Sequence, residues 1–523
     1  MRRILFILFI LTGLPGFSPA AIPATGKVYN DKPLRIELPA RSVNESYRII
    51  PCGKNGMIMF FRSLDIVNVT KTKWYFSLYD TNMQLVWVKS AAVLNDLDYR
   101  FSDTGQDTLS FLFLHSGKSR SADNDFEILR MELHNGSMVA RNGKIQLDAE
   151  VMAFSIAQGR GWIGYNVKGQ AGRILQMKLN SGTTRSFPMG QGSQISINWM
   201  SPDTVSGYVS AVVSRQVSKK TVERFVAFYD TAGVIKREIP IGTQDLNHGL
   251  THVQLTSPDR GAILVMGSFG LNSTGAGQKN KFTDESTGFF TSFLSGGTQR
   301  SLSFYNFLEL TNASSLIDGH DILNLKQKAL KKNKTLAEYS LDFPLLLHEV
   351  FLWKEQYILA AEAYSPQYHT ETFTDFDYYG RPYTNSFSVF DGYRFFNTII
   401  TGFDKEGKLL WDNMFEIRNL VSTELSAKVV IYPSDENLVL CYVSDGMIGT
   451  KIIHENSVVE KTDFTAIDLL NPEDKILSES KGKIIPWYGN YFITCGYQEI
   501  KNLAAPANNK RLVFYFSKFR YEK

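Results

Sequence analysis

Along most of the chain, apolar and polar residues alternate in short runs instead of recurring at helical spacing. Runs rich in aromatic and β-branched residues are cut by Asp, Asn and Gly, the pattern of strands joined by tight turns. One hairpin recurs most plainly. Residues 74–80, Trp-Tyr-Phe-Ser-Leu-Tyr-Asp, turn at Thr81 and Asn82 and continue through Gln-Leu-Val to Trp87. Residues 225–230 end at Asp230, turn at Gly233 and run on through 234–237. Residues 398–404 end at Asp404, turn at Gly407 and run on to Trp411. Weaker versions turn at Asn135-Gly136, Asn180-Ser-Gly182, Ser295-Gly-Gly297 and Glu455-Asn456. The Asp that ends the strand can accept from backbone N–H groups of the turn. A Gly three residues later supplies the positive φ of a type I turn with a bulge. Each hairpin is preceded by another strand pair, with runs such as 56–61, 261–266 and 437–441.

Set side by side, these hairpins divide the chain into units near 47–93, 98–147, 148–190, 196–242, 250–307, 345–417, 425–467 and 482–523. A chain of 523 residues exceeds what one ordinary core supports, and no Pro-rich, Ser-rich or single-charge linker divides it. Units of this length match the four-stranded blade of a β-propeller. The pattern therefore predicts an all-β chain forming a single β-propeller of about eight blades, with seven as the rival count because units five and six are irregular. The last unit stops one strand short, near residues 511–516. The segment 33–38, ahead of the first unit, can supply the missing strand and close the ring, which removes two sheet edges.

The irregular stretch carries two insertions. Between units five and six, over about 308–344, apolar residues at 322, 325, 329, 330 and 336 fall on a helical stripe with lysines largely opposite. This is the one short helix the pattern predicts. Unit six then carries an excursion, about 364–393, read as a long loop. It gathers Tyr364, Tyr368, Tyr378, Tyr379 and Tyr383 among His369, Glu371, Asp375, Asp377 and Arg381. Rigid amphipathic rings beside charges suit a binding surface for protein or sugar. The alternative is a loop packed on its own aromatics to cap the ring. Asp375-x-Asp377-x-x-Gly380 has the opening of a calcium loop without its third acid or distal Glu. No metal site is expected.

Composition adds an address. Met1-Arg2-Arg3, an apolar run over 4–14 and a small-residue stop at 18–20 have the form of a secretory signal peptide over 1–20, with the propeller over 21–523. Removing 1–20 takes two of the 56 basic residues and none of the 52 acidic ones, leaving a near-balance that indicates no nucleic-acid partner. Cys52, Cys441 and Cys495 are too few for a disulfide scaffold and are read mainly as small core residues, with one disulfide as the alternative. The expected location is periplasmic or secreted, in a Gram-negative bacterium.

The Asp-x-x-Gly-x-x-x-Trp turn of Asp404, Gly407 and Trp411, with Asp80/Trp87 and Asp230/Gly233 as partial copies, resembles the repeat of quinoprotein-like propellers. That resemblance implies blade geometry, with the indole docked between blades, and no cofactor. Catalytic members would need a calcium cluster and usually a vicinal disulfide, and this chain has no adjacent cysteines. The chain also resembles exported bacterial propellers as a group. No Gly-x-Ser-x-Gly elbow appears, and His248, His252 and His320 have no placeable catalytic partners. His348 and Glu362 lie in apolar runs and are read as buried, satisfied polar groups. The expected function is that of a non-catalytic protein-binding module or scaffold, monomeric by itself, in the periplasm or at the outer membrane. The alternative is a carbohydrate-binding or glycoside-processing propeller.

Overall fold

The computed structural model describes residues 34–43, 45–115, 123–146, 148–190, 195–202, 208–218, 221–242, 248–256, 262–271, 285–312, 331, 341–504 and 509–521. The signal segment over 1–20, and all but the ends of the helical insertion over 308–344, lie outside these residues apart from Lys331. No helix of the described residues is long and apolar enough to cross a membrane.

Eight antiparallel sheets follow one another along the chain. Blade 1 is Arg48–Pro51, Met57–Asn68, Lys71–Tyr79 and Leu85–Leu94, paired in that order. Blades 2 to 5 span 97–146, 150–188, 195–241 and 248–306, and blade 7 spans 430–466, all with four strands in chain order. Blade 6 is wider. Its first strand is split into Phe343–Leu347 and Phe351–Trp353, and Glu285–Ser286, a two-residue strand from blade 5, pairs onto Phe343 and Pro344. Blade 8 takes three strands from the end of the chain, Asp474–Pro486, Tyr491–Asn502 and Lys510–Arg520. Its fourth is Arg35–Pro39, in register from Arg35 opposite Ser517 to Pro39 opposite Val513. The predicted closure and the count of eight are thus both observed.

What holds the sheets in a ring is the period-two alternation of their central strands. In Met57–Asn68, Ile58 and Phe60 enter a core shared with Leu109, Phe111 and Phe113 of blade 2. Met57, Met59 and Phe61 enter a different core, shared with Ile493, Phe514 and Phe516 of blade 8. The same division recurs around the molecule. Eight interblade cores join blades 1–2, 2–3, 3–4, 4–5, 5–6, 6–7, 7–8 and 8–1. Each blade is therefore apolar on both faces, which explains the near-continuous apolar runs.

Side-chain donors lock the seams between blades. The indole N–H of Trp87 donates to Leu133 O at 3.0 Å, that of Trp353 to Ser434 O at 2.8 Å, and that of Trp487 to Gly56 O at 2.8 Å. Trp411 lies in the core between blades 6 and 7, its N–H donating to Gln356 Oε1 at 2.6 Å. Cys52, Cys441 and Cys495 are free, buried and in three different interblade cores, so no two can form a disulfide. Burial pushes the thiols of Cys52 and Cys495 up to about 12, which makes them inert packing groups.

Candidate functional site

The turn chemistry places the first set of residues. Asp80 Oδ1 accepts from the N–H groups of Asn82 and Gln84 at 2.9 and 2.8 Å. Asp230 does the same for Ala232 and Val234, and Asp404 for Glu406 and Lys408. Gly233 and Gly407 take φ of 79° and 90° at the third position after the Asp. In blade 1 that position is Met83, at φ 59°, whose side chain is buried in the core between blades 8 and 1.

The same turn occurs at the tip of the excursion. Asp377 Oδ1 accepts from Tyr379 and Arg381 N–H at 2.8 Å each, and Gly380 has φ of 73°. The reading of 364–393 as a loop is therefore corrected: the stretch is the continuation of two strands, Gln356–Phe376 and Pro382–Phe403. The neighbouring strands of blade 6 stop pairing at Ala363 and Tyr393. Beyond them the two strands pair only with each other, from Pro366 opposite Tyr393 to Phe376 opposite Pro382. At about 3.3 Å per residue this arm projects roughly 35 Å. It is a two-stranded ribbon with both edges open.

Its two faces differ. Residues directly opposite share a face, so the register puts His369, Glu371, Phe373 and Asp375 with Tyr383, Asn385, Phe387 and Val389. The other face carries Thr370, Thr372 and Thr374 opposite Ser388, Ser386 and Thr384, with Tyr368 and Phe390 at one end and Phe376 at the other. Tyr378 is 97% exposed and Tyr379 79%, and Tyr368, Phe373, Phe376, Tyr383, Phe387 and Phe390 are all exposed as well. Arg381 lies 5.7 Å from the Tyr379 ring, and Tyr383 donates to Asp375 Oδ2 at 3.2 Å. Tyr364 belongs instead to the arm's base, where it meets Tyr393 edge-on at 5.5 Å and Phe395 at 5.9 Å.

A bulge at Asp391 and Gly392 aims a carboxylate across the ribbon. Asp391 Oδ1 meets His369 Nδ1 at 2.5 Å, and Glu371 Oε1 meets Nε2 at 3.3 Å. Hydrogen bonds to Asp391 first, then to Glu371, push the His369 imidazole up from its ordinary value. Both ring nitrogens are thereby engaged. Among the described residues no group of three or more His, Cys, Asp or Glu is arranged to hold a metal ion.

A second place emerges only in three dimensions. The first strands of the blades face the axis of the ring. Between blades 8 and 1 they leave a cavity of about 300 Å³ whose lining includes Glu45, Arg48, Tyr99, Glu424, Lys481, Lys483 and Tyr497. Lys483 Nζ lies 3.3 Å from Glu424 Oε2. Lys428, 8% exposed, lies beside this pair, and its ammonium donates to Ser426 Oγ at 3.0 Å and stands 5.5 Å from the Phe395 ring. Burial, and then the charge of Lys483, bring that ammonium down to about 8. Burial would raise the Glu424 carboxyl, but Lys483, Lys481 and Lys428 outweigh it and hold it below its ordinary value. Behind Lys428, the buried Glu362 carboxylate accepts the backbone N–H groups of Lys428 and Val429 and contacts His348 Nε2 at 2.8 Å. His348 and Glu362 thus form a satisfied buried pair.

No protein-family model and no curated protein matches the sequence. Among solved structures, the chain is similar to the polysaccharide lyase Uly1, at 8% identity and a TM-score of 0.39, over 80% of this chain and 89% of that one. It is similar to a prolyl endopeptidase at 9% identity and 0.36, over 88% of this chain and 54% of that one. Prolyl oligopeptidase B from Galerina marginata gives 8% and 0.35, over 86% and 56%. The chain spans about half the length of these two peptidases. Likenesses this distant carry no activity across, and the propeller assignment rests on the eight sheets and eight cores described above.

Proposed function

We propose that this chain is an exported, non-catalytic docking platform whose projecting arm captures an extended, basic segment of another envelope protein. The observation that carries the reading is the arm itself, a ribbon with two open backbone edges and eight exposed aromatic side chains. Open edges offer main-chain hydrogen bonds to an added strand, and alternate side chains supply selectivity. Charge selects the sign of the partner. Between residues 366 and 392 the arm carries Glu371, Asp375, Asp377 and Asp391 against Arg381 and His369, and no Lys. Lysine and arginine in a partner strand would meet carboxylates and aromatic faces together.

The test replaces 367–391 with a two-residue Asn-Gly turn and compares the two proteins by fluorescence anisotropy against extended peptides, basic or acidic, of matched hydrophobicity. The reading expects the full chain to prefer the basic set, the armless chain to lose that binding, and both to melt alike. Equal affinity for acidic peptides, or binding that survives without the arm, would overturn it. A chain that fails to fold without the arm would assign these residues to self-packing instead.

A further inference from the structure

Among the described residues, the lining of the axial cavity carries more cations than carboxylates. Arg48 arrives on the first strand of blade 1, Lys481 and Lys483 on the first strand of blade 8, and Lys428 from the link between blades 6 and 7. Arg48, Lys481 and Lys483 line the cavity with the carboxylates of Glu45 and Glu424, and Lys428 stands beside the Lys483–Glu424 pair. Two further acids nearby are already occupied. Glu362 accepts from two backbone N–H groups and contacts His348. Glu479, whose carboxyl lies beside Gly482 between the two lysines, accepts from Gly446 N–H, Gln498 Nε2 and the Tyr515 hydroxyl. The Lys428 ammonium donates to the neutral hydroxyl of Ser426, in a position where only 8% of the residue is exposed. A buried cation without full compensation is costly and gains most from an arriving anion.

The backbone points the same way. The register of the blade 8 strand breaks between Ser480 and Lys483, and Lys481 adopts φ of 53°, a conformation a lysine reaches only under strain. Glycine would fit that bend without cost. Lysine there instead aims a cation at the cavity, with its ammonium 5.9 Å from the Tyr497 ring.

We propose that the axial cavity binds a small oxyanion, the carboxylate or phosphate of a compact ligand, held by Arg48, Lys481 and Lys483 with Lys428 behind them. At about 300 Å³ the space sits at the lower end of ligand pockets, which suits a single sugar acid or phosphate and excludes a polymer duplex. Tyr99 and Tyr497 present apolar walls to the body of such a molecule, and Glu424 holds Lys483 in place until the anion arrives. The site is independent of the arm and of what the arm captures.

The experiment is calorimetric titration of the full chain with inorganic phosphate and, separately, with glucuronate, at constant ionic strength balanced with chloride. One or both should give a saturable single-site isotherm, and whichever saturates identifies the anion's chemical source. Affinity for glucuronate, whose own charge is constant over this range, should fall as pH rises from 7 to 9, since Lys428 loses its proton near 8 while facing Lys483, Glu424 and Glu362. Lys483→Gln should weaken binding about tenfold or more. Lys481→Gly is the sharper variant, because it relieves the strained bend while removing the cation. It should leave the melting temperature unchanged or higher and still weaken binding severalfold. Absence of a saturable isotherm with either anion, or affinities unchanged in both variants, would overturn the assignment.

Discussion

Glu127 offers the most quantitative check on how this ring is held together. It lies on the third strand of blade 2, opposite Phe113 and Asn142. Its parity is that of Leu129 and Met131, which enter the core against blade 1. The residue is 1% exposed, and its Oε1 has no hydrogen-bond partner among the described residues. Burial raises its carboxyl from 4.5 to about 7, opposed only in part by the positive charge of Lys71 on blade 1. A folded-state value above the unfolded one means the folded chain holds its proton more tightly. The associated stability is fully present below about 4.5 and is lost as pH climbs through about 7. At about 1.4 kcal/mol for each tenfold change in proton affinity, the loss across that window is about 3 kcal/mol. Glu127→Gln keeps the shape and puts a neutral amide in place of the carboxyl, with no charge to bury. Urea unfolding of both proteins at pH 4.5 and pH 8 should give near-equal stability in acid and an advantage of about 3 kcal/mol for the variant at pH 8. A difference between the two proteins that stays constant across this range would refute the assignment of a buried, ionisable carboxyl to this seam.

Two other variants probe the ring's closure and its turns. A chain beginning at residue 41 lacks the strand Arg35–Pro39 and leaves Lys510–Arg520 as an open edge. It should melt at lower temperature and associate with rising concentration in light scattering. An unchanged melting point and a monomeric mass would remove the closing strand from the account of stability. Gly407→Ala puts a Cβ at a φ of 90°, within 2.7 Å of Leu264 Cδ1 and 2.9 Å of Thr291 Cβ in blade 5. Its carbonyl also receives the hydroxyls of Thr291 and Tyr305 at 2.6 and 2.9 Å. The expected cost is about 1–3 kcal/mol by urea unfolding, and a neutral result would show that this turn is not keyed into the neighbouring blade.

The blades were legible because their hairpins are specified locally. One Asp side chain satisfies two turn N–H groups, and that requirement leaves a trace in sequence at Asp80, Asp230 and Asp404. Closure was legible because a final unit with one strand too few needs a partner, and 33–38 was the unassigned apolar run. The first strand of blade 8 was placed too late, since residues 474–481, Asp-Lys-Ile-Leu-Ser-Glu-Ser-Lys, lack the apolar density of the others. The arm did leave a signal. Thr370-x-Thr372-x-Thr374 and Thr384-x-Ser386-x-Ser388 alternate with period two, and Asp377 with Gly380 repeats the turn signature of the blades. Its exposed Phe373, Phe376, Phe387 and Phe390 resemble core residues by type, so attention falls on the tyrosines instead. The axial cations left none. Arg48 is far in the chain from Lys481 and Lys483, and Lys428 lies more than fifty residues before them, so only closure of the ring gathers these cations around one cavity.

A blade can close without such an arm. Blade 7 makes the same connection, between its second and third strands, with Asp445 and Gly446 alone. A two-stranded ribbon is marginal by itself, and an open edge invites indiscriminate pairing. The arm answers the first problem with cross-strand rings, Tyr368 on Phe390 at 5.5 Å and Phe373 on Phe387 at 5.9 Å, and with a base anchored by Tyr364, Tyr393 and Phe395. It answers the second with Pro366 and Pro382 at its ends and with like charges along it, which discourage pairing of one arm with another copy. In the proposed function those same acids would favour a basic strand over a second acidic arm. On the proposed reading, the features that disfavour pairing between two arms are thus also the ones that would select a partner strand.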